Sequence, residues 1–123
     1  MTSILLVTVG AVIGSGARFA LDAMARRWFP RGPSPGILVV NLLGSFVLGV
    51  LVGLMATRLV EDRWRLLVGV GFCGSFTTFS TFVVELAELV DQGQRRALVS
   101  WVIVTVVGGG IAASLGLVVG RAW

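Results

Sequence analysis

The sequence predicts an all-α membrane protein with four transmembrane helices, and two observations lead to that prediction. Hydrophobic residues make up 56% of the 123-residue chain and charged residues only 13%, whereas a soluble domain carries about 25% charged residues. The few charges are gathered between long uncharged stretches, and about 20 apolar residues are enough for a helix to cross a bilayer. We expect one four-span transmembrane domain over residues 1–123.

The first two predicted spans cover residues 3–25 and 36–57, and residues 26–35 between them are predicted to be a loop. Arg18 and Asp22 stand four residues apart in the first span, which places them for an ion pair near the membrane edge. Arg18 is equally suited to a structural role or to drawing anions into a vestibule. In the second span, the single amide of Asn41 is suited either to lining a polar path or to bonding helices together.

The third and fourth predicted spans cover residues 66–84 and 97–120. Within residues 71–82, the third contains two glycines, five hydroxyl side chains and four phenylalanines. Glycines and clustered hydroxyls weaken a helix, and a break would free carbonyl groups near Gly74 and Thr77 that need a partner such as a cation. A continuous helix whose hydroxyls bond back to the preceding turn explains the same run equally well. The acidic residues Glu85, Glu88 and Asp91 are typical of a hydrated helix end, and only Glu85 is near enough to the membrane core to matter.

Phe79 and Phe82 lie three residues apart and therefore share a helix face, with Ser80 and Thr81 between them. The edges of phenylalanine rings carry partial positive charge, and hydroxyl groups donate hydrogen bonds. Together they form a surface suited to a small, partly dehydrated anion, although an aromatic packing stripe accounts for the same spacing.

The arginines are divided almost evenly between the two sides of the membrane. The side that holds both termini carries four, and the other side carries five, or six with Arg18. Because the positive-inside rule then has almost no difference to act on, the sequence predicts insertion in both orientations and an antiparallel homodimer. The glycine pairs at 10/14, 49/53 and 116/120 mark helix faces on which such pairing is predicted.

The composition also excludes several classes of function. With no His and one Cys, the chain cannot build a His-centred catalytic triad or a zinc site of the usual type, so we expect no enzyme. The net charge of +4 does not indicate nucleic-acid binding, because the arginines are scattered between apolar runs. Two alternatives remain. One is a small dual-topology drug/proton antiporter, which needs a buried carboxylate in its first span. The other is a non-transporting membrane subunit.

Three motifs in order along the chain closely resemble those of the Fluc (CrcB) family of bacterial fluoride channels. They are GSGARF at 14–19, VNLLGSF at 40–46 and GFCGSFTTFSTF at 71–82. The resemblance covers essentially the full length and implies an antiparallel, dual-topology homodimer with two pores. Such a dimer would export cytoplasmic fluoride passively across the bacterial inner membrane. Ser75 departs from the family pattern, which usually has a second glycine there, and makes the backbone less permissive.

The resemblance also implies which residues carry the function. Carbonyl groups of Gly74 and Thr77 from both subunits would hold a structural sodium ion at the dimer centre, where the third helix would be broken at mid-membrane. The residues implied for the fluoride pathway are Asn41, Phe79, Ser80, Thr81, Phe82 and, in the vestibule, Arg18. Glu85 lies where the family has a carboxylate near the end of the pore.

Overall fold

The computed structural model describes residues 1–123 and contains helices as its only regular elements. In chain order these are α1 (Thr2–Trp28), α2 (Pro35–Ala56), α3 (Asp62–Trp64), a π-helix (Arg65–Cys73), α4 (Gly74–Phe76), α5 (Ser80–Asp91) and α6 (Arg95–Arg121). Four helical segments are long and apolar enough to cross a membrane: α1, α2, Asp62–Asp91 and α6. The prediction of an all-α chain with four such helices is confirmed.

The third segment, Asp62–Asp91, changes its helical geometry along its length. After α3 it continues as the π-helix, and it returns to α-helical geometry in α4. Residues 77–79 then lie outside any helix, with Thr77 extended at ψ 157°, before α5 begins. The hydroxyls of Ser75 and Thr77 each donate to the carbonyl four residues earlier, at 2.8 Å. The segment therefore combines a non-helical stretch with hydroxyls bonded to the preceding turn.

Helices α2 and α6 form the most extensive contact in the chain. Glycines on both helices let their backbones approach closely, as is usual where membrane helices pack. A Cβ atom added to Gly53, for example, would lie 2.6 Å from the carbonyl oxygen of Leu117. The other glycines that leave no room for a side chain in this contact are Gly49, Gly116 and Gly120.

Helix α1 packs against the first half of the third segment through Gly10 and Gly14. A Cβ atom on Gly10 would overlap the carbonyl oxygen of Leu67, and one on Gly14 would overlap that of Phe72. All three predicted glycine pairs are thus occupied within one chain. The glycine spacings are therefore confirmed as faces of close helix packing, and their use in pairing with a second copy stays a prediction.

Helix α1 runs to Trp28, so the first three residues of the predicted loop are helical. The helix ends before Phe29, because a residue that precedes a proline, here Pro30, is disfavoured in α-helical geometry. Phe29 has left that geometry, at φ −130° and ψ 76°. The loop prediction was therefore wrong for residues 26–28, and also for Pro35, which begins α2.

The extra helical turn changes the ion pairing of Asp22. Arg26, four residues after Asp22, lies 3.1 Å from it, measured from Nε to Oδ2. Arg18 forms no salt bridge within 4.0 Å and is half-buried on α1. The predicted Arg18–Asp22 pair is wrong, because the continued helix gives Asp22 a second arginine at the same spacing on the C-terminal side.

Candidate functional site

A groove of about 400 Å³ lies beside the non-helical stretch of the third segment, lined also by α2 and α6. Five predicted site residues line it: Asn41, Gly74, Thr77, Phe79 and Phe82. Thr78 and Thr105 line it as well. Of the remaining predicted residues, Ser80 and Thr81 are connected to the groove through Thr78, and Arg18 lies outside the lining.

Asn41 holds the backbone of Thr78 with both ends of its side-chain amide. The Thr78 N–H donates to Asn41 Oδ1 at 2.8 Å, and Asn41 Nδ2 donates to the Thr78 carbonyl at 3.1 Å. In a continuous α-helix the Thr78 N–H would bond instead to the carbonyl of Gly74. The amide on α2 therefore takes the place of helical partners in the third segment.

Two carbonyl groups in the groove lack the donors that a helix would give them. The Thr77 carbonyl oxygen accepts no hydrogen bond from backbone or side chain. The Gly74 carbonyl loses its helical donor because the Thr78 N–H bonds to Asn41. Freed carbonyl oxygens of unwound backbone are the ligands that sodium takes in membrane proteins, so this donor set fits the sodium ion that the family resemblance implies.

The hydroxyl of Thr78 is hydrogen-bonded to the hydroxyls of two neighbouring residues. It lies 3.3 Å from Ser80 Oγ, donates to Thr81 Oγ1 at 3.2 Å and accepts the Thr81 N–H at 3.3 Å. Ser80 is exposed and Thr81 is half-buried. The sequence does not single out Thr78, because the hydroxyl run gives no sign of which member faces the others.

The two phenylalanines differ in accessibility, and only Phe82 lies in a helix, because α5 begins after Phe79. Phe79 is 76% exposed and Phe82 is 6% exposed. Their ring centroids lie 6.2 Å apart, with the ring planes inclined at 49°. The ring of Phe79 is therefore accessible in the groove, and the buried ring of Phe82 packs beside it.

Thr105 on α6 carries a buried hydroxyl oxygen without any hydrogen-bond partner, and it lines the same groove. Leaving a buried polar group unpaired costs about 1–3 kcal/mol, so a polar partner that reached this hydroxyl would stabilise it. The sequence gives no sign of this role, because one threonine in an apolar helix forms no pattern.

Glu85 is buried, at 4% exposure, and joins three parts of the chain. Its Oε1 accepts the Ser34 N–H at 2.7 Å and lies 3.8 Å from Arg26 Nη2. Its Oε2 accepts from Trp101 Nε1 at 3.3 Å. Glu85 is therefore no part of a hydrated helix end, and its burial confirms that it alone of the three acidic residues lies near the core.

Residues 5–117 match the family model described as "CrcB-like protein, Camphor Resistance (CrcB)". The chain belongs to the CrcB family. This confirms the family resemblance drawn from the three motifs. Combined with its four apolar helices, membership in the CrcB family makes the chain a multi-pass membrane protein.

Several CrcB relatives match along nearly their whole length. A protein of Geobacillus kaustophilus named "Fluoride-specific ion channel FluC 1" is 44% identical over 95% of this chain and 97% of its own length. "Fluoride-specific ion channel FluC" of Chromobacterium violaceum is 41% identical over 86% and 84%. "Fluoride-specific ion channel FluC 1" of Halalkalibacterium halodurans is 39% identical over 98% and 99%.

Proposed function

We propose that this protein is a fluoride-selective channel through which fluoride leaves the bacterial cytoplasm passively, and not an enzyme. Its CrcB relatives carry the name of such a channel. The observation that carries the proposal is the groove, which is lined by the exposed ring of Phe79 and by the polar residues Asn41 and Thr105. An anion that sheds water needs such partners to replace its hydration shell.

The fluoride pathway in this proposal follows the groove. The ring edges of Phe79 and Phe82 meet the ion, and hydroxyl groups donate to it. Asn41 contributes as well, because its amide has two N–H groups and the Thr78 carbonyl uses only one. The hydroxyl donors are Ser80, Thr81 and Thr105. Arg18 supplies positive charge at the vestibule.

The sodium ion and the dimer belong together in this proposal. Gly74 and Thr77 of one chain offer two carbonyl oxygens, and a second copy related by a two-fold axis would offer two more. The non-helical stretch at residues 77–79 would then lie at mid-depth of the bilayer, at the centre of an antiparallel homodimer. Carbonyl groups without helical donors are tolerated at that depth only where something satisfies them, and sodium would do so.

Export needs no energy source of its own. Neutral hydrogen fluoride crosses membranes and dissociates in the cytoplasm, which traps fluoride as an anion. The membrane potential, negative inside, then drives the anion out through a selective path. The single four-span domain, residues 1–123, would sit in the inner membrane with two such paths per dimer.

Purified protein in liposomes is expected to release trapped fluoride when a potassium ionophore sets the membrane potential. Chloride-loaded liposomes, measured in parallel, should release no chloride. An ion-selective electrode follows both fluxes. Absence of fluoride flux would contradict the channel, and flux that depends on a proton gradient would favour the antiporter.

A reporter fused after Trp123 is expected on both faces of the membrane, because the arginines are nearly balanced. A matched variant, with Arg27, Arg31, Arg95 and Arg96 all replaced by Gln, removes four positive charges from one side only and leaves one arginine there, or two with Arg18, against four on the side of the termini. This variant should be found with its termini predominantly inside the cell, since the termini side then carries clearly more arginines. A single orientation for the natural sequence would count against the antiparallel homodimer.

A further inference from the structure

We propose that Asn41 is a positioning residue for the sodium ion, because it fixes the direction of the Thr77 carbonyl. The inference rests on the sodium site of the proposed function and deepens it. Asn41 bonds to the backbone of Thr78, one residue beyond the proposed ligand. Its effect on sodium is therefore transmitted through the backbone and is separate from its donor role toward fluoride.

One peptide group connects Asn41 to the ion. The Thr77 carbonyl and the Thr78 N–H belong to the same planar unit, and the chain has no cis peptide bond. In a trans peptide the C=O and N–H point in opposite directions. The 2.8 Å bond from the Thr78 N–H to Asn41 Oδ1 thus turns the Thr77 carbonyl away from Asn41.

The Thr77–Thr78 peptide group makes no other hydrogen bond. The Thr77 N–H and hydroxyl both bond to the carbonyl of Cys73, at 3.1 Å and 2.8 Å, so the backbone is anchored as far as Thr77. Beyond that point the helical pattern stops, and the Thr77 carbonyl has no donor of its own. Rotation of the Thr77–Thr78 peptide is therefore opposed chiefly by the Asn41 amide.

The same bond also strengthens the carbonyl as a ligand. Hydrogen bonds in a chain polarise one another, so an N–H that donates makes the carbonyl of its own peptide group more negative. The second bond, from Asn41 Nδ2 to the Thr78 carbonyl at 3.1 Å, holds the next peptide group. Two-point attachment prevents Thr78 from turning about the first bond.

Two substitutions distinguish the contribution of the amide oxygen of Asn41 from that of its NH₂ group. Asn41→Asp keeps an oxygen that accepts the Thr78 N–H but removes the NH₂ group. Asn41→Leu has a similar volume and removes both. Ser45→Ala is the matched control on α2, because Ser45 Oγ donates to the Asn41 carbonyl at 2.7 Å and makes no bond to Thr78.

The experiment measures how sodium stabilises the purified protein against heat, without fluoride. A cation that binds only the native state raises the unfolding temperature by mass action. N-methyl-D-glucamine replaces sodium to keep the ionic strength constant. Asn41→Leu should need about tenfold more sodium for half of the effect, since two copies per dimer each lose an orienting hydrogen bond. Asn41→Asp should bind sodium as tightly as the natural protein or more tightly. Ser45→Ala should need the same sodium concentration as the natural protein.

Equal weakening of sodium binding in Asn41→Asp and Asn41→Leu would overturn the proposal, as would an unchanged requirement in Asn41→Leu. If Asn41→Leu does not fold, a tenfold weakening of sodium binding in Asn41→Asp is enough by itself to overturn the proposal. If sodium does not stabilise the natural protein, the proposed sodium site and this inference are both contradicted. Fluoride efflux from liposomes then still decides separately whether the protein is a channel.

Discussion

Replacing Phe79 with isoleucine is expected to lower fluoride efflux about tenfold or more. Isoleucine fills much of the same space but lacks the ring edge whose partial positive charge faces the anion. Phe79 is 76% exposed, so the substitution removes little packing within the chain. Ion-selective electrode recordings from liposomes, scaled to the amount of folded protein, measure the effect.

The matched control for this substitution is Phe19→Ile on α1. Phe19 is 77% exposed and does not line the groove, so the same chemical change is made at a similarly exposed position. Fluoride efflux should stay at the level of the natural protein in this variant. Equal losses in the two variants would show that the ring of Phe79 has no specific role.

Phe82→Ile is expected to act on both flux and stability. Phe82 is 6% exposed and its ring lies 6.2 Å from that of Phe79, so its replacement removes buried contacts and the support of the neighbouring ring. Fluoride efflux should fall, and the thermal unfolding temperature should fall with it. The combination distinguishes the buried ring from the exposed one.

The four apolar helices could be predicted from the sequence because they depend on local properties. The length of uncharged stretches and the positions of charged residues determine where a helix can cross a bilayer. The end of α1 was harder to predict from the sequence, because the Asp22–Arg26 pair competes with the alternative Arg18–Asp22 pair at the same spacing. Only the position of Pro30 favours the longer helix.

The contacts of the candidate site could be predicted only in part. The motif in the third segment indicated the right residues, but the partner of Thr78 comes from α2 and lies 37 positions away in sequence. Glu85 and Ser34 are 51 positions apart. Thr105 carries no local signal at all. These contacts depend on how α2, the third segment and α6 pack, which single-residue patterns do not encode.

The glycine pairs illustrate the same limit. Their spacing correctly indicated faces where helices approach closely, but spacing alone does not say which helix is the neighbour. In the structure, Gly49 and Gly53 face α6, while Gly116 and Gly120 face α2. Pairing inside one chain and pairing between two chains satisfy the same pattern.

Gly116→Ala is expected to destabilise the fold by about 3 kcal/mol or more, at or beyond the upper end of the usual cost of overpacking. The added Cβ would overlap the carbonyl oxygen of Phe46 and lie 2.9 Å from the backbone nitrogen of Val50. Backbone atoms cannot rotate aside as a side chain can. Helices α2 and α6 would therefore have to separate, and in a bilayer their association depends on close packing.

Gly110→Ala on the same helix is the matched control, because a Cβ atom at Gly110 would meet nothing within 4 Å. Thermal unfolding in detergent should show a large loss of stability for Gly116→Ala and almost none for Gly110→Ala. Similar unfolding temperatures for the two would contradict the close contact of α2 and α6. Because α2 carries Asn41 and α6 carries Thr105, separating the helices would also widen the groove. Any Gly116→Ala protein that still folds should therefore conduct fluoride poorly, which links the packing of the glycines to the function of the site.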